Sequence, residues 1–565
     1  MTYLPTRRIF FVALALTLLL LGGLAACAQQ PTQPTALPAT PPPPTPTPLP
    51  RGGTLSIRAS ADLPDLKPWQ PRSRAEEQAI QLLYSGLTHL DNKLVPRPDL
   101  AERWDISADG RLITFTLRSN LTWHDGVPVS AEDVAYTLGA LREITPTTAL
   151  LADLRNRITT ATVLATNTIE LSLTERYAPI MADLAVPILP RHLLNGRDLS
   201  TLNFWDAPTG SGPFKLETRA PGQSITLAAN SLFYRGPPLL DRVTLVVAPD
   251  AALASQALAD GRLLLAELPP TQPPPPNAQR GEYAENGSFF LAFNTRAGRV
   301  FEDPALRNAL AAAVDIPALV QQATAGAGTP IGHGAALGSW ADFTPPPTSP
   351  TSTVELDRAR ALLDAAGWRA GEAGLRQRDG RSLAAQILVR GDDPRRVKAA
   401  EFIAKAVATI GISLTVQPTD FTSQIQPRYL PPYDFDLLMG SWVGGAGDPQ
   451  FADYLFYDPD DYALFHSSQI NQGVADARAV LNFVGFNDPA YETQAVVARQ
   501  LYDTEQRSQS IRRTQQRLSD MKPYLYLWSD RVQTALSPSV ATLDGPVDLK
   551  SPLYLWNIER WYIVR

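Results

Sequence analysis

The residue types that most often carry out chemistry are few and scattered in this chain of 565 residues. Its five histidines stand apart from one another, and none belongs to the H-E-x-x-H pattern of a zinc hydrolase. The sequence has no G-x-S-x-G nucleophile elbow and no G-x-x-x-x-G-K-[ST] phosphate loop. A single cysteine, Cys27, excludes an intrachain disulfide and a cysteine-based structural zinc site. We therefore predict no catalytic residues, no metal site and no cofactor.

Weaker candidates for chemistry have simpler structural interpretations. Ser211 lies between two glycines, but no strand-to-helix elbow surrounds it, so a tight turn is favoured over a nucleophile. The acidic run at residues 458–461 lacks the ligand spacing of a calcium loop and is interpreted as a solvated loop. Asp434 and Asp436 would share one face of a strand, and we interpret them as a solvent-facing pair.

The N-terminus indicates the compartment. Arg7 and Arg8 precede an uncharged, mostly apolar stretch at residues 9–26, the arrangement of a secretory signal. A membrane-spanning helix is the alternative, although 18 residues are borderline for crossing a bilayer of about 30 Å. Residues 24–27 (LAAC) resemble the bacterial lipoprotein processing box, and the only cysteine of the chain stands at the lipid-bearing position. We predict a signal peptide at residues 1–26 and a lipid on Cys27.

A proline-rich segment follows the cysteine. Residues 31–50 contain ten prolines, and most of the others are Thr or Ala. Such a segment cannot bury a core and favours polyproline II, which would span roughly 60 Å at about 3.1 Å per residue. We interpret residues 27–50 as a lipidated cysteine followed by a semi-rigid tether.

The composition of the rest excludes some classes of protein. Apolar residues make up 44% of the chain, enough for several cores, and the length suggests about three to four domain-sized units. The net charge of −6 argues against a nucleic-acid-binding protein, because phosphate binding needs a clustered basic surface.

Strand and helix patterns alternate irregularly along the body. Apolar residues alternate at residues 55–57, 113–117, 169–173 and 243–247, which predicts strands. Ser130 and Asp133 form a capping pair before a helix. Two further helices are predicted to end at Gly367 and Gly411, and a strand is predicted at residues 412–416. The pattern indicates a mixed α/β protein with more than one lobe.

Several short blocks, in order along the chain, resemble family 5 of the bacterial extracellular solute-binding proteins. These receptors serve ABC importers of dipeptides and oligopeptides, and others in the family take nickel chelates and some sugars. The blocks are residues 83–87 (LYSGL), 100–104 (LAERW), 121–126 (LTWHDG), 131–134 (AEDV), 210–214 (GSGPF), 291–295 (LAFNT), 359–368 (ARALLDAAGW) and 433–437 (YDFDL).

The resemblance implies a bilobal, three-domain, periplasmic-binding-protein-like α/β fold with the ligand cleft between the lobes. The implied division is domain I at 51–90, 210–295 and 526–565, an inserted domain II at 91–209, and domain III at 296–525. Residues 123–126 (WHDG) would lie in domain II, away from the cleft. We interpret them as turn and packing residues, with a catalytic His-Asp pair as the alternative.

The resemblance also implies ligand-binding residues. Peptide-binding relatives have a Trp-x-x-Asp loop whose carboxylate holds the ligand amine; here Trp442 matches, but the Asp position falls on Gly445. Asp448 lies three residues further on. The arginine that holds the ligand carboxylate in dipeptide receptors falls on Arg390, with a surface arginine at a strand end as the alternative. Relatives have Leu-Asp-Pro where this chain has Lys67 in the middle position.

We therefore predict a monomeric, non-enzymatic substrate-binding protein, lipid-anchored outside the cytoplasm. It would capture peptides or peptide-like solutes by hinge closure and deliver them to the permease subunits of an ABC transporter. A receptor for a non-peptide solute, such as a sugar or a metal chelate, is the first alternative. A secreted hydrolase on a similar scaffold is the second.

Overall fold

The structure is a computed structural model. It describes residues 50–69, 73–144, 154–285, 287–334, 338–342, 354–371, 374–442, 460–470 and 481–564. Cys27, Gly445 and Asp448 lie outside the described residues. The described residues belong to one unit, Leu49–Arg565.

Strands of very different lengths occur throughout the described residues. They are β1 (Thr54–Ala59), β2 (Thr88–Leu90), β3 (Pro96–Pro98), β4 (Ala101–Ile106), β5 (Leu112–Leu117), β6 (Ile158–Ala165), β7 (Thr168–Leu173), β8 (Phe214–Ala220), β9 (Ser224–Ala229), β10 (Arg242–Val247), β11 (Leu265–Leu268), β12 (Gln279–Ala284), β13 (Ser288–Phe293), β14 (Gly328–Pro330), β15 (Arg369–Ala370), β16 (Arg376–Arg378), β17 (Arg381–Ser382), β18 (Ala384–Arg390), β19 (Ser413–Thr419), β20 (Leu437–Trp442), β21 (Tyr524–Leu536), β22 (Val540–Thr542) and β23 (Trp561–Ile563).

The α-helices of the described residues lie mainly in the second half of the chain. They are α1 (Arg74–Leu83), α2 (Ala131–Arg142), α3 (Ile180–Asp183), α4 (Arg191–Leu194), α5 (Ala251–Ala259), α6 (Pro304–Ala312), α7 (Ile316–Thr324), α8 (Leu356–Ala365), α9 (Pro394–Ala408), α10 (Tyr462–Phe465), α11 (Pro489–Gln500) and α12 (Thr504–Met521).

One large mixed sheet runs through the body in the order β19-β18-β20-β13-β21-β11-β1-β10-β9-β8, with β12 and β14 also paired to β21. Strands β18, β19 and β20 run parallel at one end, and β1 runs parallel to β10 and β11 towards the other. The 13-residue β21 joins the two regions, because it pairs with β13 and β14 near its start and with β11 and β12 near its end.

Both faces of the sheet are buried where β13 crosses it. Phe289, Leu291 and Phe293 face one core, which is covered by α6, α7, α8 and α9. Phe290 and Ala292 face a second, largely aromatic core on the other side. This alternation follows from the two-residue period of a strand, and it explains why residues 289–293 form a continuous apolar run.

A separate four-stranded antiparallel sheet, β4-β5-β7-β6, packs with α2 around its own core. Trp123 and Trp205 are among its largest fully buried side chains. The predicted capping pair is confirmed, since the Ser130 backbone N–H donates to Asp133 (2.8 Å) in a complete capping box at the start of α2.

The two ends of the body meet. The Gly52 N–H donates to the carbonyl of Leu239 (2.8 Å), and the Leu239 N–H donates to the carbonyl of Glu559 (3.1 Å). Gly53 has φ of +97°, and a Cβ there would lie 2.8 Å from the Ile563 side chain. This position therefore requires glycine for its backbone conformation and for the close approach.

The local predictions from sequence are mostly confirmed. Strands β1, β5, β7, β10 and β19 occur where alternation predicts them. Gly367 and Gly411, at φ of +81° and +86°, follow α8 and α9. Asp434 and Asp436 both precede β20, so they do not share a strand face, and Asp434 faces solvent as predicted. Asp436 accepts from the Gln386 N–H (3.2 Å).

Candidate functional site

The carboxyl ends of β18 and β20 lie side by side. The two strands are parallel, with Val389 opposite Met439, so the last residues of both reach the same edge of the sheet. Arg390 ends β18, and Trp442 ends β20. In open α/β sheets, ligands bind outside the carboxyl ends of parallel strands. The structure therefore brings together the two predicted site residues that it describes.

Trp442 forms part of the aromatic core below this edge. Its side chain is only 2% exposed, and its ring lies 5.9 Å from that of Phe290 and 6.0 Å from that of Phe483. These contacts fix the indole against the sheet. The ring is therefore rigid, and only a small part of its surface could contact a ligand. Gly445 and Asp448, the other predicted loop residues, are outside the described residues.

Arg390 is held at the strand end by a neighbouring carboxylate. Its Nε and Nη2 donate to the two carboxylate oxygens of Asp392, at 2.9 and 2.7 Å. The guanidinium also lies 5.2 Å from the ring centre of Phe421. The hydrogen bond from Arg390 lowers the pKa of Asp392, even though burial opposes the shift. The forked geometry is the one that binds a carboxylate with two parallel hydrogen bonds.

Two further arginines at this edge were missed from the sequence. Arg396 donates to Ser441 (2.8 Å) and pairs with Asp393 (3.1 Å), and Arg395 pairs with Asp530 of β21 (2.8 Å). Both guanidiniums lie 5.1 Å from the ring centre of Phe289. The signal was available, because two consecutive arginines follow Pro394 at the start of the helix directly after Arg390.

Glu285 lies between β12 and β13, where the chain passes from one part of the large sheet to the other. Its backbone N–H donates to the carbonyl of Asp530 (2.7 Å). Burial raises the pKa of the Glu285 carboxyl to about 7, and the nearby carboxylates of Asp530, Glu267 and Glu77 add to the shift while Arg74 opposes it. Several acidic side chains therefore surround Glu285, and one of them, Asp530, also pairs with Arg395.

The WHDG block is structural, as predicted. The His124 ring accepts from the Gly210 N–H at Nδ1 (3.2 Å) and donates from Nε2 to the Gly212 carbonyl (3.1 Å). Burial lowers the pKa of His124 to about 4, so the ring is neutral at pH 7. Asp125 contacts His192 (2.8 Å) instead of His124. The ring therefore holds residues 210–212 in place and does not form a His-Asp pair with its neighbour.

The solvated-loop interpretation of the acidic run is wrong for its last two residues. Asp460 and Asp461 are both buried. Asp460 pairs with Arg507 (2.9 Å) and Arg499 (3.3 Å). Burial raises the pKa of Asp461 to about 7. No group of three or more His, Cys, Asp or Glu suited to a metal ion occurs among the described residues, and none of their helices is long and apolar enough to cross a membrane.

Comparison with known proteins decides the family. Residues 95–463 match the family described as bacterial extracellular solute-binding proteins, family 5 Middle. The chain belongs to this family. The solute-binding protein is 29% identical to Protein XP55 of Streptomyces lividans over 458 residues, covering 79% of this chain and 78% of XP55. It is 25% identical to the oligopeptide-binding protein AppA of Bacillus subtilis over 509 residues, covering 86% and 87%.

A solved structure supports the same fold for the solute-binding protein. NikZ of Campylobacter jejuni, in complex with Ni(L-His), aligns with a TM-score of 0.65 and 24% identity, over 90% of this chain and 99% of NikZ. The predicted α/β, periplasmic-binding-protein-like fold is confirmed. The boundaries predicted for the three domains and the roles predicted for Arg390, Trp442, Gly445 and Asp448 stay predictions.

Proposed function

We propose that this solute-binding protein captures a peptide or peptide-like solute outside the cytoplasm and delivers it to an ABC importer. A lipid on Cys27 and the proline-rich tether would hold it at the membrane. The observation that carries the proposal is the parallel pairing of β18 and β20, which puts the Arg390 guanidinium at the same sheet edge as the rigid Trp442 wall. AppA, with which 86% of the chain aligns, is an oligopeptide-binding protein.

The ligand would be held mainly through its anionic end and its apolar parts. Arg390 would release Asp392 and pair with the ligand carboxylate in its place. The Asp392 side chain is 66% exposed and is therefore easily rehydrated. A buried ammonium needs a carboxylate partner, and the sequence has Gly445 where peptide receptors place one. We therefore propose weak or no preference for a free amine at that position.

A non-peptide solute is the second candidate. The absence of a carboxylate at Gly445 favours a solute without a free amine, and NikZ binds a nickel complex of histidine. We further propose that the protein does no covalent chemistry, because the sequence carries no recognisable nucleophile or metal motif and AppA is a binding protein.

Calorimetry with a matched pair of ligands tests the ligand class. A short peptide and its N-acetylated form should bind within about tenfold of each other, a difference of about 1.4 kcal/mol. Arg390→Ala should weaken both by about 1.5–3 kcal/mol, the scale of a charged hydrogen bond, whereas Arg369→Ala on the exposed β15 should change neither.

Three results would contradict parts of the proposal. A free peptide that binds more than about tenfold tighter than its acetylated form would indicate an amine site elsewhere. Binding that is unchanged in Arg390→Ala would remove this residue from the site. Peptide recovered in fragments, as judged by mass spectrometry, would favour a hydrolase.

A further inference from the structure

A cavity of about 130 Å³ lies beside α1, and neither Arg390 nor Trp442 lines it. The cavity is lined by one face of α1, by residues 84–90 that follow the helix, and by residues 553–558 near the C-terminus. Single residues from other segments complete the lining, among them Asp99, Pro187 and Arg235. None of the predicted ligand-binding residues contributes to it. The cavity is therefore not explained by the proposed site.

The walls of the cavity are mainly apolar and firmly packed. Ile80 of α1 and the C-terminal Leu553 and Leu555 are each less than a tenth exposed. The ring of Trp556 lies nearly parallel to that of His89, at 14° with centres 6.3 Å apart, and both rings border the cavity. An apolar cavity of roughly 150 Å³ in another protein stays dry and binds benzene. A small aromatic group of one or two fused rings therefore matches this volume and lining.

The charged groups around the cavity are already paired. Arg235 lies 3.5 Å from Asp99 and 3.4 Å from Glu559, and Arg74 lies 3.1 Å from Glu77. A charged ligand would have to displace one of these partners, which costs free energy that a neutral ligand avoids.

Neutral polar groups also border the cavity. Burial lowers the pKa of His89 to about 4, with Arg235 adding to the shift, so the imidazole is neutral at pH 7. The Gln81 amide is half-buried on α1 and lines the same space. One hydrogen-bonding group on a ring would meet these side chains, so the lining favours a phenol or an indole over benzene.

We propose that this cavity is a second binding site of the protein, for a neutral aromatic ring that carries one hydrogen-bonding group. The ring could come from a free small molecule or from an aromatic side chain of the captured solute. Only the second source rests on the proposed function. In both cases Ile80, Gln81 and Trp556 contact the ring.

Ligand-observed NMR with indole and phenol as probes tests the site. Gln81→Phe fills the cavity from the helix and should weaken indole binding at least tenfold. Gln322→Phe, the same change at an exposed position of α7, should leave it unaltered. If Gln81→Phe does not fold, as judged by its thermal unfolding, Trp556→Leu removes one wall and should give the same loss. Equal indole binding by the parent and by the cavity variant would overturn the proposal.

Peptide binding separates the two sources of the ring. If the ring belongs to the captured solute, Ala-Trp-Ala should bind at least fivefold tighter than Ala-Ala-Ala, and free indole should compete with it. If the site takes a free molecule, indole and either peptide should bind independently. Indole binding without any peptide binding would contradict the proposed function and leave the cavity proposal intact. Peptide binding with neither indole binding nor a preference for Trp would overturn the cavity proposal alone.

Discussion

At the scale of single residues, Arg390 and Glu285 differ in how well their surroundings stabilise the charged side chain. Arg390 pairs with an exposed carboxylate, and such surface pairs contribute only about 0–1 kcal/mol. The exchange of Asp392 for a ligand carboxylate therefore costs little. Glu285 is the opposite case, because burial and neighbouring carboxylates disfavour its charged form. The Arg390–Asp392 pair therefore suits the proposed exchange with a ligand, whereas the charged form of Glu285 destabilises the folded protein.

The raised pKa of Glu285 predicts a specific dependence of stability on pH. Between about pH 4.5 and 7 the folded protein keeps the Glu285 proton while the unfolded chain loses it. The folded state therefore binds more protons in this window, and stability falls as pH rises. Glu285→Gln cannot ionise, so its stability relative to the parent should increase from pH 5 to pH 8, approaching about 3 kcal/mol for a shift of this size.

Denaturant unfolding of parent and variant at pH 5, 6, 7 and 8 measures this difference. Glu282→Gln is the matched control on the same strand, because that side chain is half-exposed and pairs with Arg531. It should show no comparable change with pH. A stability difference for Glu285→Gln that stays constant from pH 5 to pH 8 would show that the Glu285 carboxyl titrates normally.

At the scale of elements, local patterns were predictable and long-range partners were not. The capping box of α2, the glycines after α8 and α9, and the alternating strands depend on residues a few positions apart, so the sequence reveals them. The pairing of β1 with β10 joins residues nearly 190 positions apart. Short periodic patterns carry no information about such partners.

The candidate site was only partly predictable for the same reason. Trp442 and Arg390 were found through short blocks that resemble a family, and their shared sheet edge follows from the parallel pairing of β18 and β20. The burial of Asp460 depends on Arg499 and Arg507, which come about 40 residues later in the chain. The cavity beside α1 needs residues 553–558, nearly 500 positions from the helix, so no local pattern could indicate it.

Contacts between the small sheet and the last two long helices predict an effect on ligand binding. Tyr177 accepts from Arg499 (2.9 Å), and Tyr502 of the segment between α11 and α12 donates to the Gly110 carbonyl (2.9 Å). If these contacts stabilise the closed form, the double variant Tyr177→Phe, Tyr502→Phe should populate more of the open form. The bond from the charged Arg499 guanidinium is worth about 1.5–3 kcal/mol and the neutral bond from Tyr502 about 0.5–1.5 kcal/mol, so apparent affinity should fall about tenfold or more.

Small-angle scattering and calorimetry test this expectation together. The double variant without ligand should have a larger radius of gyration than the parent, and saturating ligand should reduce the difference. Tyr136→Phe, in helix α2 that packs with the same four-stranded sheet, is the control and should change neither quantity. An unchanged radius and affinity in the double variant would mean that these contacts do not govern closure.

At the scale of the whole molecule, the proposed anchor predicts where the protein is found. One acyl chain gives only marginal membrane residence, whereas two or more hold a protein stably. Cys27→Ala should therefore release the protein into the medium or block its processing, as measured by membrane fractionation and intact mass. Thr35→Ala in the proline-rich segment should leave retention unchanged. Membrane retention of Cys27→Ala equal to that of the parent would contradict the lipid anchor.

The meeting of the two ends of the body around Leu239 has a consequence for how the chain could be rewired. Because Gly53 and Ile563 are in contact, a short linker could join these ends without displacing any strand. New termini could then be opened in the exposed turn around Gly222 between β8 and β9. Such a circular permutant would keep the neighbours of every strand, and a tether placed before its new N-terminus would enter the body at the turn between β8 and β9. A reporter fused after residue 564 would, by the same geometry, be positioned close to residue 51, where the body begins.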